Sequence, residues 1–281
     1  MSRVTSIASE QDEENKPRVL PTRPPTNSTS IGAIKFLPDG AEVSISQKIV
    51  TYVQEDKLYV QEMDRSSAIR AASPGFPIMV SPGDVVSFSG TLRTVDMERE
   101  ILFDGSIVVH ISDVPLPDAL GMNEKFIVGG PLNAFTPGIP DCPGINTVGL
   151  RAQIWGRATS ELFVDETGDW CFYFDDGSNI QDGTLRGYPS QKTKGVRVYS
   201  YMPPTVGDFK IVRGVCGITL RQPVSPETER QPVRVIRTGS HYDIFDPGTV
   251  GPPIETDQIT GTVRLVGAVN PQKARVYSTK T

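Results

Sequence analysis

Aromatic and arginine side chains are concentrated in the middle of the chain, on runs of residues that alternate like β-strands. Trp155 and Arg157 lie on the first run, Tyr173 on the second and Arg197 on the third. Aromatic rings stack on nucleic-acid bases, and cationic side chains follow the phosphates between them. These four residues are therefore a candidate face for single-stranded nucleic acid. The same alternation is also expected if the rings fill and cover the core of a small barrel.

Residue types that support catalysis are sparse. The chain has two histidines and three cysteines, and no phosphate-binding loop or metalloprotease motif. His110 stands alone on a strand-like run, and we interpret it as an ordinary strand residue. The acidic residues between Asp165 and Asp176 lack the ligand spacing of a calcium-binding loop, and we interpret them as solvated turns. We therefore expect no enzyme activity, no cofactor and no metal site.

The cysteines have no metal-ligand spacing. Cys171 and Cys216 fall on strand-like runs, where buried thiols are common. Cys142 lies between Asp141 and Pro143 in a stretch that looks exposed. We interpret it as a linker thiol, with an intermolecular disulfide as the alternative in an oxidising setting.

Composition limits the classes of partner. The net charge of −5 gives no general attraction to phosphate backbones. No apolar run is long enough to span a bilayer, and residues 1–30 contain no apolar segment of a secretory signal. We therefore expect no membrane span. A cytoplasmic or virion-associated location is favoured, and an extracellular one stays open if the chain is processed or exported by another route.

One order of strands and turns occurs twice along the chain. In the first copy, an Asp-x-Ser turn at Asp64 precedes a third strand, and Ser81–Asp84 turns the chain towards a fourth. In the second copy, the turn at Asp176 and the Gly-Asp turn at 206–209 occupy the same places. The chain contains 26 glycines and 24 prolines, residues that are common in turns. This content is typical of short strands joined by turns and favours an all-β fold.

This order of elements resembles the oligonucleotide/oligosaccharide-binding (OB) fold. It is most similar to the tandem OB-like domains of uncharacterised bacterial proteins, in which a DRSSGIRV or DDGSG turn precedes the third strand. The resemblance covers roughly Ile31–Ser112 and Ile145–Ile244. Ala68 replaces the usual glycine, and Asn179–Lys194 is an insertion. The resemblance implies two small β-barrels in tandem, but this fold carries many unrelated activities.

The predicted organisation has five parts. A polar, proline-rich arm at residues 1–30 precedes an OB-like domain at 31–112. A proline- and glycine-rich linker at 113–144 leads to a second OB-like domain at 145–245, and residues 246–281 form a linker and a β-hairpin. A lone hairpin is marginally stable in water, so it should pair with another sheet.

The two ends suggest assembly. We expect the arm, through Pro21, Pro24 and Pro25, and the hairpin, through Val263, Leu265 and Val276, to contact other copies of the chain or other subunits. The sequence thus predicts a structural assembly protein, such as a filament or virion component. The alternative is a protein that binds single-stranded nucleic acid.

Overall fold

The computed structural model of the chain describes residues 30–186 and 190–248, and it confirms the prediction of an all-β protein. The described strands are β1 (Glu42–Gln54), β2 (Lys57–Gln61), β3 (Ala68–Ala72), β4 (Val85–Val95), β5 (Glu98–Leu102), β6 (Val108–Ile111), β7 (Leu120–Gly121), β8 (Arg151–Ala158), β9 (Phe163–Val164), β10 (Trp170–Asp175), β11 (Leu185–Arg186), β12 (Gln191–Lys192), β13 (Val196–Tyr199), β14 (Phe209–Arg221), β15 (Gln231–Arg237) and β16 (Ile244–Phe245).

Helical structure is limited to short turns within these ranges. They are the α-helix α1 (Ile31–Ile34) and the 3₁₀ turns Glu124–Phe126 and His241–Asp243. Among the residues that the structure describes, no helix has the length and apolar character needed to cross a bilayer.

Strands β1 to β5 close into the first barrel, in the order β1-β2-β3-β5-β4 and back to β1. Closure depends on the long strand β1, which pairs with β4 through its first part and with β2 through its last part. The register with β4 shifts between Ile45 and Lys48, where Gln47 adopts a positive φ of 53°. Such a bulge bends a strand, so β1 can serve both neighbours. Strands β3 and β5 are parallel, and the other pairs of the barrel are antiparallel.

The second copy repeats this connectivity. Strands β8, β10, β13, β15 and β14 pair in that order, and β14 returns to β8. The long strand here is β14, which pairs with β8 through residues 209–215 and with β15 through residues 215–221. As in the first barrel, the third and fifth of these five strands in chain order, β13 and β15, are parallel neighbours.

The two predicted kinds of turn are present in both copies. Asp64 and Asp176 each accept a hydrogen bond on Oδ1 from the backbone N–H two residues later, at 2.9 and 2.8 Å. This side-chain bond replaces a backbone turn and leads the chain into the next strand. Gly83 and Gly207 have φ values of 100° and 92°, a conformation that favours glycine.

Each barrel encloses its own apolar core. The first contains Ile31, Ile34, Val43, Ile45, Val50, Leu58, Val60, Ile69, Ala71, Val86, Phe88, Leu92, Ile101 and Phe103. The second contains Ile127, Val128, Ile139, Cys142, Val148, Ala152, Ile154, Ala158, Phe172, Phe174, Val196, Val198, Val212, Cys216, Ile218 and Ile236.

The segment 113–144 differs from a free linker. Its side chains Ile127, Val128 and Ile139 belong to the second core, and β7 adds to the sheet beside β8. Cys142 is also buried there, with its thiol 3.3 Å from the Lys125 carbonyl oxygen. The description of Cys142 as an exposed linker thiol was therefore wrong, because its stretch covers an apolar core. Cys142, Cys171 and Cys216 are all free thiols.

Candidate functional site

The predicted nucleic-acid face is only partly open to solvent. Trp155 is 46% exposed, and Arg157 is exposed on the same strand. Tyr173 and Arg197 are both 0% exposed. A ring and a guanidinium buried to this extent cannot stack on a base or contact a phosphate, so the expected group of four is reduced to two surface residues.

Arg197 is the centre of a buried polar network. Its Nη1 lies 3.2 Å from Asp165 Oδ2 and 3.0 Å from Glu166 Oε2, and its Nε donates to the Tyr173 hydroxyl at 3.3 Å. Tyr199 donates to Asp165 Oδ2 at 2.5 Å. Burial tends to raise the pKa of Asp165, but the hydrogen bonds from Tyr199 and Thr167 outweigh it and hold that pKa below 3.8. The interpretation of Asp165 as a solvated turn residue was wrong, because its carboxylate balances the buried Arg197.

The two exposed members of the predicted face have local partners. The Trp155 ring packs against Gly121 of β7, where an added Cβ would lie 3.3 Å from the ring. Arg157 donates to the Gly207 carbonyl oxygen at 2.6 Å and lies over the Phe209 ring.

His110 is exposed on β6, with Nε2 2.7 Å from Ser87 Oγ. The predicted assembly residues Pro21, Pro24, Pro25, Val263, Leu265 and Val276 lie outside the described residues.

A buried charge cluster joins the two barrels, and no motif in the sequence indicates it. Glu98 of β5 is 0% exposed. Its Oε2 accepts from Arg70 Nη1 at 3.0 Å and from the Tyr59 hydroxyl at 2.5 Å. Its Oε1 reaches the second barrel and accepts from the Ile218 N–H at 2.5 Å and from Arg237 Nη1 at 3.2 Å.

Further contacts cross the same boundary. Gln61 Oε1 accepts from the Arg151 N–H at 2.9 Å, and Lys35 Nζ donates to the Val148 carbonyl oxygen at 3.2 Å. Burial lowers the pKa of Lys35 to about 8. Because these partners are buried and come from separate strands and loops, the barrels form one body held by specific polar contacts.

A cleft of about 350 Å³ lies where the barrels meet. It is lined by Tyr52, Val53, Gln54, Asp169, Trp170, Tyr199, Ser200, Tyr201, Met202, Thr238, Gly239 and Ser240. Trp170 and Tyr201 are exposed at its surface, and Gln54 Nε2 donates to Asp169 Oδ1 at 3.2 Å across it. The lining combines aromatic rings with hydroxyl and amide groups and contains one carboxylate and no lysine or arginine.

Strand β6 forms an exposed edge of the first sheet. It pairs only with β4 among the described strands. All four of its residues are exposed, and three are apolar: Val108 (58%), Val109 (42%) and Ile111 (58%). An edge with free backbone groups and apolar side chains is a template for adding another strand.

Three carboxylates meet beside the second barrel, although the sequence predicted no metal site. Ligand oxygens of Glu124, Asp175 and Asp176 all lie within 4.8 Å of one another. Glu124 was not a candidate, because it is remote from the two aspartates in sequence. The spacing of acidic residues within one loop could not reveal a group assembled from two segments.

No protein-family model matches the sequence, and no curated protein matches it.

Proposed function

We propose that the chain is a non-enzymatic structural subunit, built from two OB-type barrels, that assembles with other copies of itself. The strand order that both barrels share, with a parallel pair between the third and fifth strands, supports the OB assignment. Function rests on surface features, because the fold itself carries many activities.

The observation that carries this proposal is the edge strand β6. A protein that stays monomeric usually protects such an edge with charged residues, proline or a covering segment. Among the described residues, Val109 and Ile111 stand exposed on the edge instead, and β6 pairs with β4 along one side only. Pairing with a strand from another molecule would satisfy the free backbone groups and bury the apolar side chains.

The occupant that we propose is the tail of a second copy, residues 259–266. Ile259, Val263 and Leu265 are separated by even numbers of residues, with Gly261 between the first two, so an extended chain would place them on one face. Donation of a tail to the next copy is a head-to-tail contact. Such contacts form a ring if the rotation closes and a filament if it does not.

The joint between the barrels suits a subunit of this kind. Glu98 is bonded to both barrels and is excluded from water, so movement of one barrel relative to the other would leave a buried charge unpaired. A subunit with a fixed shape transmits a defined geometry from one contact to the next.

Sedimentation velocity on the full chain tests the assembly. Ile111→Lys places a charge on the β6 edge and should convert the assembled species to the 30.6 kDa monomer. Ile145→Lys is the matched control, because Ile145 is 78% exposed and lies outside β6. The proposal fails if I111K sediments like the parent chain, or if both variants weaken assembly equally.

The cleft between the barrels favours a second candidate, a binding module. Tyr52, Trp170 and Tyr201 offer aromatic surface, and Gln54 and Asp169 offer hydrogen-bonding groups. Sugars combine apolar faces with hydroxyl groups and fit such a lining, whereas a polyanion would meet Asp169 without a compensating cation.

Intrinsic fluorescence can test this candidate. In a Trp155→Phe background, Trp170 is the only remaining tryptophan. A neutral oligosaccharide that enters the cleft should change its emission in a saturable way, and Tyr201→Ala should weaken the response. Unchanged emission with a panel of neutral oligosaccharides would remove the sugar-binding candidate.

A further inference from the structure

Two separate segments bring the three carboxylates together. Glu124 begins the 3₁₀ turn in the connection between the barrels, and Asp175 and Asp176 follow at the end of β10. The backbone N–H of Glu124 donates to Asp176 Oδ2 at 2.9 Å, a contact between residues 52 positions apart. A second contact, from Ser178 Oγ to Asn123 Oδ1 at 3.1 Å, joins the same two segments.

Glu124 is buried without compensation. The residue is 0% exposed, and neither oxygen of its carboxylate has a hydrogen-bond partner among the described residues. A buried carboxylate in this state is costly, because it has lost its hydrogen bonds to water without gaining others from the protein.

The two aspartates are held in place by backbone donors. Asp176 Oδ1 accepts from the Ser178 N–H at 2.8 Å, and Asp175 Oδ1 accepts from the Asn179 N–H at 2.9 Å. A carboxylate has about four lone-pair sites, so these bonds fix the orientation of each group and leave further sites free. The positions of the acceptors are thus set before any ligand arrives.

We propose that Glu124, Asp175 and Asp176 bind a hard divalent cation, and that Ca²⁺ fits best. All the ligands are carboxylate oxygens, which suit Ca²⁺, Mg²⁺ and Mn²⁺, whereas the cluster has no thiolate or imidazole to favour zinc. Oxygens within 4.8 Å of one another can share a Ca²⁺ at about 2.3–2.6 Å each without large movement. Water would complete the coordination on the more open side, beside the half-buried aspartates.

The cation would have a structural role. It would give Glu124 the partner that it lacks and would tie the connecting segment to the turn after β10. Ile127 and Val128, which follow Glu124 directly, belong to the core of the second barrel. A cation bound here would therefore hold the segment that covers this core in place. Its role would be structural and not catalytic.

Titration calorimetry and thermal unfolding of the full chain test the site. After treatment with EDTA and its removal, we expect CaCl₂ to give saturable heat and to raise the melting temperature. MgCl₂ should give a smaller shift, because Mg²⁺ requires near-ideal octahedral geometry. Glu124→Gln should lower the affinity for Ca²⁺ by roughly tenfold or more, because the site loses one of its three carboxylate ligands.

Two further variants keep the test decisive. Asp176→Asn should also weaken binding, whereas Asp104→Asn should not. Asp104 accepts from the Ser106 N–H at 2.9 Å in the same kind of turn, but it lies outside the cluster. Binding that survives in both E124Q and D176N would place the cation elsewhere and overturn the proposal. Absence of any heat or melting shift with Ca²⁺, Mg²⁺ or Mn²⁺ would also overturn it.

Discussion

Glu98 of β5 and Arg237 of β15 form an ion pair across the boundary between the two barrels, with 3.2 Å between Oε1 and Nη1. The residues are 139 positions apart in the chain. Glu98 is fully buried, and Arg70 of its own barrel binds the other oxygen. One carboxylate therefore pairs with guanidinium groups from both barrels, which makes it the central contact of the joint.

Replacement of Glu98 by glutamine should strongly destabilise the protein. Glutamine keeps the shape but leaves Arg237 without its counter-charge, whereas Arg70 keeps its ion pair with Glu100. Removal of one partner from a buried ionic cluster costs about 3–5 kcal/mol, and we expect a fall of this order in the free energy of unfolding by urea. Glu229→Gln, at an exposed position, is the control and should change little. Equal unfolding midpoints for E98Q and E229Q would contradict this account of the joint.

The effect of E98Q should depend on pH. Burial alone would raise the pKa of Glu98, but the charges of Arg237 and Arg70 outweigh it and hold that pKa below 4.5. A group with a depressed pKa stabilises the folded state fully above its unfolded pKa, and this contribution is lost as the pH falls through the folded value. The difference in unfolding free energy between the parent chain and E98Q should thus be constant from pH 5 to 8 and shrink below pH 4.5. A difference that stays constant down to pH 3 would show that the charge of Glu98 is not responsible.

Because Gly217 has no side chain, Arg237 and Glu98 have room to meet beside it. An added Cβ would collide with Arg237 Nη1 and lie 2.6 Å from Glu98 Oε1. Gly217→Ala should therefore displace the ion pair and lower the free energy of unfolding by about 1–3 kcal/mol, as overpacking does in other cores. Gly32→Ala is the matched control, since its Cβ would have its nearest contact at 3.5 Å. Urea unfolding of both variants gives the comparison, and a G217A variant as stable as G32A would be the contrary result.

The sequence was sufficient to predict the repeated architecture. Alternating apolar residues mark the strands, and Gly83 and Gly207 mark turns that need a positive φ. These signals are local, because a strand or a turn is determined largely by a few neighbouring residues.

The polar contacts could not be predicted in the same way. Glu98 lies in an acidic and basic stretch that looks exposed, and its burial depends on Ile218 and Arg237 of the other barrel. Arg197 and Tyr173 looked like surface binding groups because their types suit nucleic acid. Only the folded chain shows that they bind each other. Contacts between residues that are distant in the chain produce no local sequence pattern from which they could be predicted.

The remaining surface residues of the nucleic-acid hypothesis give a further test. With Tyr173 and Arg197 buried, Trp155 and Arg157 alone should bind single strands weakly, because each stacked base contributes only about 1–3 kcal/mol. We expect no saturation of a labelled oligonucleotide by micromolar protein at about 0.15 M salt. Saturable binding that falls steeply with salt and is lost in Arg157→Ala would favour the nucleic-acid function instead.

The molar mass of the full chain in solution tests the central proposal most directly. Light scattering over a wide range of protein concentrations should give multiples of 30.6 kDa that increase with concentration. Deletion of residues 259–281 should return the mass to that of a monomer while circular dichroism keeps its β-sheet form. A parent chain that remains a 30.6 kDa monomer at every concentration would contradict self-assembly through β6.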